Sequence, residues 1–222
     1  MQNTGKIGVQ FNKIEKILKE VRLFSERNYF PSVIENNLSE IRKLNYVGIW
    51  KYYISNSHFN FQLVDNSLFS FKLDLSKPSF SFLGCPYDCL TYKDFLREND
   101  FSFEEVGESF CSDYENYLDS CHLLVFPNTI RYDYDLTSYN EGIHPISHLH
   151  IGYNNQIRIG IKFKLDPFAF FCFILRQIYP NEWAMIISNP KFENDIEIYK
   201  ERINQIEAIF YKRKDKYELY LE

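Results

Sequence analysis

Three stretches of this chain carry residue types that can do chemistry together. They read Ile130-Arg-Tyr-Asp-Tyr-Asp135, Ile143-His-Pro-Ile-Ser-His-Leu-His-Ile-Gly152 and Gln156-Ile-Arg-Ile-Gly-Ile161. His144, His148 and His150 fall close together, with Arg131, Arg158, Asp133 and Asp135 beside them. Imidazoles titrate near neutrality and can act as acid or base. Guanidinium forks grip phosphate through paired hydrogen bonds. The first reading is therefore a metal-independent ribonuclease or phosphodiesterase. His148 and His150 would move protons, Arg131 and Arg158 would hold the scissile phosphate, and Asp133 would orient one imidazole. His144, Asp135 and Gln156 would touch substrate.

Two other chemistries use the same residues. His148-x-His150 with Asp133 or Asp135 could hold a divalent ion in a hydrolase, with His144 as a further nitrogen. Two arginines would repel a cation, so neither a metal nor a cofactor is expected. The third reading is a non-catalytic subunit whose polar face binds a nucleotide or a protein. A plain solvated sheet face is the bland alternative, although such faces ordinarily carry Lys, Glu, Thr and Ser.

Strand periodicity sorts these side chains, because residues i and i+2 share a face. Arg131, Asp133 and Asp135 point one way. His148 and His150 point opposite to Leu149 and Ile151. A two-residue turn at Asn154-Asn155 would mix histidines with Ile157, Ile159 and Ile161. A three-residue turn, 153–155, gathers Leu149, Ile151, Ile157, Ile159 and Ile161 on one face. It leaves His148, His150, Gln156, Arg158 and Gly160 on the other. One-residue slips flip every side chain, so the second register is expected, with Arg158 opposite His150. The histidines should then lie on a wet face, each worth under about 0.5 kcal/mol to stability.

The elements that must position this stripe suggest an α+β fold, with antiparallel strands in two groups packed on amphipathic helices. Phe11, Ile14, Ile17, Leu18, Val21 and Phe24 recur at helical spacing over 9–28. A short helix is expected from Ser39. Runs at 46–55, 58–65 and 68–74 read as a strand meander, and 75–90 as loop. Thr91 starts a short helix, and Ser102 with Glu105 forms a capping box. Strands follow near 129–135, 146–152 and 157–163. Asp166-Pro167 opens a helix that runs to Tyr179 and stops at Pro180. A last helix is expected from about 195, through Ile196, Tyr199, Ile203, Ile206 and Ile209. With no repeat or Pro/Gly linker, residues 1–222 are read as a single domain.

Composition narrows the partners. The net charge of -5 gives no global pull toward nucleic acid, so any grip on phosphate must be local. The 18% aromatic content fits core-type spacing better than a stacking surface. No apolar run is long enough to span a bilayer, and the polar start lacks a signal core; a cytoplasmic protein without membrane contact is expected. The five cysteines are expected as reduced, mostly buried thiols. Cys85 and Cys89 would make half of a zinc site, but no second pair completes it. No phosphate-binding glycine loop, nucleophile elbow or HExxH helix is present.

The order Arg131-Tyr-Asp-x-Asp135, His144-Pro-x-x-His-x-His-x-Gly152 and a later Arg resembles a bacterial family known as a conserved domain of unknown function. Leu165-Asp-Pro-Phe168 and Tyr179-Pro-x-x-Trp183 carry the same likeness. It covers about 125–185 clearly and the N-terminal half loosely. The Arg-Tyr-Asp and His-x-His motifs are also similar to toxin components of toxin–antitoxin pairs, suspected ribonucleases. That likeness implies RNA or a nucleotide as ligand, and an antitoxin or phage-defence subunit as partner.

Overall fold

The structure is a computed structural model describing residues 3–31, 41, 43–74, 76–125, 127–152, 154, 157–192, 195–197, 203–217 and 220–221. The spacing of Ile14, Ile17, Leu18 and Val21 produces helix α1, Asn3–Glu20. It ends earlier than the apolar pattern suggests. Arg22 takes a positive φ of 60°, the chain turns, and Phe24–Arg27 becomes strand β1.

Residues 46–55 are not a strand but helix α2, Tyr46–Ser55. Their aromatic and β-branched residues favour strands, yet Asn45 caps the helix by accepting the Gly48 N–H. Tyr46 and Trp50, four residues apart, are buried on one side of it. Strands β2, Phe61–Leu63, and β3, Leu68–Lys72, form the expected meander. The segment 75–90 is not loop throughout. It contains β4, Ser79–Leu83, and β5, Tyr87–Asp88.

Helix α3, Tyr92–Glu98, starts after the Thr91 cap. The Ser102–Glu105 capping box opens α4, Phe103–Val106, and α5, Cys111–Ser120, follows separately. A short strand, β6, His122–Leu123, pairs with β5. Then come β7, Thr129–Tyr134, β8, Ser147–Ile151, and β9, Ile157–Gly160. After β10, Phe163–Lys164, Asp166 caps α6, Pro167–Ile178, by accepting the Ala169 N–H at 2.8 Å. Pro180 does not end the helical region; it opens α7, Pro180–Ile187, from the first position, where its missing N–H costs nothing.

The expected last helix is replaced beyond Ile203 by β11, Asn204–Gln205, and a 3-10 turn at Ala208–Phe210. Strand β11 pairs with β10, and Ile206 donates its N–H to Lys162. These cross-strand bonds outcompete the helical spacing. Tyr199 and the helix expected from Ser39 lie outside the described residues.

The two strand groups belong to one antiparallel sheet, ordered β1-β2-β3-β4-β7-β8-β9. Strand β4 joins them by pairing with both β3 and β7. Helices α1 and α6 cover one face, over Phe61, Phe69, Phe80, Phe82, Tyr132 and Leu149. On the opposite face Leu68 and Leu83 join Trp50, Tyr87, Tyr114 and Leu118 in a second apolar cluster. Where that cluster ends, the polar stripe begins.

The C-terminal segment closes the β9 edge. Lys162 donates its N–H to Leu221, and Leu221 donates to Gly160. Asp215, 1% exposed, accepts from Tyr139 Oη at 2.7 Å and from the N–H groups of Gly142 and Lys212, both at 2.8 Å. It thereby ties this segment to the loop ahead of His144. Gly142 has φ +70°, and a Cβ there would lie 2.7 Å from Lys214 Cβ, so the approach requires glycine.

Burial acts to raise the Asp215 pKa, but these hydrogen bonds outweigh it and hold the carboxyl below its ordinary value. A depressed folded pKa stabilises the fold above the unfolded value of about 3.9, and the benefit is lost as pH falls through the folded one. Asp215→Asn should therefore cost about 1–3 kcal/mol at pH 7 in urea denaturation. The gap from the wild type should close below about pH 4.

Candidate functional site

The three-residue-turn register is realised: His148 opposes Gly160, Leu149 opposes Ile159, His150 opposes Arg158 and Ile151 opposes Ile157. On the other side Arg131 opposes His150, and Asp133 opposes His148. Because β4 lies beyond β7, the pairing continues. One row runs Lys72–Ser79–Asp133–His148–Gly160 across five strands, and its neighbour runs Ser70–Ser81–Arg131–His150–Arg158. All ten positions share the face opposite the α1–α6 core.

That face is not uniformly wet. His148 is 1% exposed and His150 3%. The expectation of solvated imidazoles is overturned because this face is covered from three sides. The Tyr220 ring lies over Gly160, where a Cβ would come within 2.7 Å of it. The His144 ring meets His148 edge-on at 4.8 Å. Arg131 and Asp133, only half-buried, fold over His150. The side facing Leu149 is the more open at the sheet edge, since Ile157 is exposed and Ile159 half-buried.

Asp133 is the hub. Its Oδ1 accepts from Ser79 Oγ at 2.6 Å. Its Oδ2 accepts from Arg131 Nε at 2.9 Å and Nη2 at 2.8 Å, and lies 3.3 Å from His150 Nε2. Burial acts to raise this carboxyl's pKa. The His150 hydrogen bond, the Arg131 charge and the Ser79 hydroxyl together hold it well below the usual range.

His148 Nδ1 lies 2.8 Å from the Pro145 carbonyl, which can only accept, so Nδ1 carries the proton and Nε2 is a bare lone pair. That lone pair faces His150 Nε2 at 3.1 Å. Burial, reinforced by the neighbouring His150, lowers the His148 pKa to about 4, so the ring is neutral at pH 7. His150 Nε2 thus has two acceptors, Asp133 Oδ2 and His148 Nε2, while its Nδ1 is buried without a hydrogen-bond partner among the described residues.

The other sequence-chosen residues divide. Arg158 stands exposed at the end of its row and has no carboxylate partner among the described residues. His144 touches His148 through its ring but stays outside the converging atoms. Burial and then Arg158 lower its pKa. Asp135 is committed elsewhere. It caps the turn through the Thr137 N–H at 2.8 Å and Ser138 Oγ at 2.7 Å, and pairs with Lys77 at 3.2 Å. Gln156 lies outside the described residues. Sequence reasoning missed Ser79, the Pro145 carbonyl and Tyr220. The first had a signal, the alternation Ser79-Phe-Ser-Phe-Leu83, whereas the other two act through a backbone carbonyl and a distant chain segment.

Among the described residues, Asp133, His148 and His150 form the group whose donor atoms could share one metal ion. All five cysteines are free, and Cys111 is exposed rather than buried. No described helix is long and apolar enough to cross a membrane.

The burial of the histidines changes what their removal should do. His150→Ala leaves a cavity, and takes from Asp133 one of its donors. It should cost about 1–3 kcal/mol in urea denaturation instead of a few tenths. A loss below about 0.5 kcal/mol would place this imidazole on a solvated face after all.

Comparison with curated proteins and with solved structures finds no match in either. A family model does match, over residues 19–219, well beyond the 125–185 over which a clear likeness was expected. By that match the chain belongs to the family of uncharacterized conserved proteins DUF2290.

Proposed function

We propose that this chain is a hydrolase of phosphodiesters, with RNA as the foremost substrate, and that the double polar row is its active face. The observation that carries the reading is convergence. Arg131 and Arg158 stand on either side of His150 in one cross-strand row, with Asp133 and His148 in the adjacent row, although the five residues come from three strands. An arginine fork suits an anionic phosphate and the extra charge that builds up during displacement; Arg158 offers one without a carboxylate partner among the described residues, while Arg131 is bonded to Asp133. Lys72, at the far end of the neighbouring row, adds a further cation roughly 19 Å from β9, given four strand spacings of about 4.8 Å. In a chain of net charge -5, this local arrangement is what could draw a polyanion.

Each histidine enters this reading with a restriction. His148 uses Nδ1 on Pro145 and aims Nε2 at His150; His150 aims Nε2 at Asp133 and buries Nδ1. Direct proton transfer to substrate therefore requires the Asp133–His150 contact to open. A role as a toxin or defence nuclease, or as a binding subunit of such an assembly, is the narrower form of this reading. Growth arrest on expression, absent in the Arg158→Lys variant, would support it.

The direct test is cleavage of single-stranded RNA by the purified chain, with and without chelator. Arg158→Lys should lower kcat/KM at least about 10-fold, because a point charge does not reproduce a two-point phosphate grip. It should leave the melting temperature unchanged, since Arg158 is exposed. Lys93→Ala, on helix α3 and outside both rows, should cleave as the wild type does. No cleavage by the wild type, or full activity in Arg158→Lys, would contradict the proposal.

A further inference from the structure

We propose that Asp133, His148 and His150 bind one divalent first-row transition ion, through Asp133 Oδ2 and the Nε2 atoms of both imidazoles. The three atoms stand 3.1, 3.3 and 4.0 Å apart. A triangle with those sides has its centre about 2 Å from every corner, which is the bond length of such an ion to imidazole nitrogen or carboxylate oxygen, roughly 2.0–2.2 Å.

The surroundings agree with ligation. His148 donates Nδ1–H to the Pro145 carbonyl, the outer contact that fixes a metal-binding imidazole's tautomer and aims its Nε2. Ser79 Oγ fixes the other carboxylate oxygen in the same way. His150 is 3% exposed and carries an unpartnered Nδ1. Ligation requires a bare Nε2 on His150, whose Nδ1 can carry the ring proton, and replaces the hydrogen shared between the converging atoms by a cation bonded to all three.

The arginines do not bar the ion. Arg131 is bonded to Asp133, so the two charges cancel within the site, and Arg158 is exposed. Two imidazole nitrogens and one carboxylate favour Zn2+, Mn2+, Fe2+ or Co2+ over Mg2+ and Ca2+, which prefer oxygen ligands. With the carboxylate charge already shared, affinity should be micromolar, not picomolar. Three protein ligands leave positions for water and a phosphate oxygen, and the ion would supply the Lewis acid that the engaged imidazoles lack. The catalytic meaning of the ion rests on the phosphodiesterase reading; its binding rests on the geometry alone.

The test is calorimetric titration of the chelator-treated full chain with Zn2+, Mn2+ and Mg2+, followed by the visible spectrum of the Co2+ form. One Zn2+ or Mn2+ per chain is expected, with a raised melting temperature and at least about 10-fold weaker Mg2+ binding. Asp133→Asn should lose at least about 10-fold in affinity. Should that variant not fold, the wild-type Co2+ spectrum decides. Nitrogen and oxygen ligation without thiolate charge transfer supports the site; thiolate bands would place the ion on Cys85 and Cys89 and overturn it. Absence of saturable binding at about 100 times micromolar concentration also overturns it. Ion binding without RNA cleavage would retire the phosphodiesterase reading and leave the site standing. Cleavage that persists in chelator, with no ion bound, would do the reverse.

Discussion

The Asp133 carboxylate constrains everything on this face of the sheet. It sits half-buried between Ser79 on β4, Arg131 on its own strand and His150 on β8, and it bonds to all three. An ionised carboxylate in such a place is costly unless each oxygen is satisfied. Here the satisfaction comes from side chains that only one register brings together. A slip by one residue in either the β4–β7 or β7–β8 pairing would carry Asp133 into the aromatic core beside Tyr132 and leave its donors behind. The polar cluster is thus a register lock as well as a candidate site. It also explains why Arg131 is not free to wander toward solvent.

The aromatic side of the same strands supplies the matching force. Phe80, Phe82, Tyr132 and Leu149 are buried against α1 and α6, and Tyr132 turns its hydroxyl to Ser147 and the Leu165 N–H instead of leaving it unpaired. Burial of these large side chains offsets the cost of dehydrating the opposite face. The paired rows hold the imidazoles at separations of about 3 Å, where a proton or a cation must lie between them. A looser sheet would let the rings part.

Much of this was legible in the sequence because strand periodicity is strict. Leu149, Ile151, Ile157 and Ile159 against His148, His150 and Arg158 left one register that separated apolar from polar, and that register forms. An uncharacterised conserved family was also expected, and the family model that matches residues 19–219 is of that kind. Other features were hidden for physical reasons. Pro78, Gly84 and Pro86 bracket β4 and mask its short Ser-Phe alternation, so the strand that unites the sheet read as loop. Tyr46 to Ser55 has strand-like residues, and tertiary packing of Tyr46 and Trp50 decides for helix. Tyr220, which lies against Gly160 across from His148, and the Asp215 anchor both come from far along the chain, contacts that local pattern does not encode. Ile203 to Ile209 kept helical spacing, but the open backbone of Lys162 and Phe163 drew that segment into strand pairing.

The interaction between Asp133 and His150 is where fold and chemistry meet, and a double-mutant cycle measures it directly. Asp133→Asn, His150→Gln and the double variant would each be unfolded in urea after chelator treatment, beside the wild type. If the carboxylate and imidazole are bonded at the half-buried centre of the face, the single losses should exceed additivity by about 1–3 kcal/mol. Losses that add to within about 0.3 kcal/mol would mean that the two side chains do not interact, and that the polar rows are not assembled as described here.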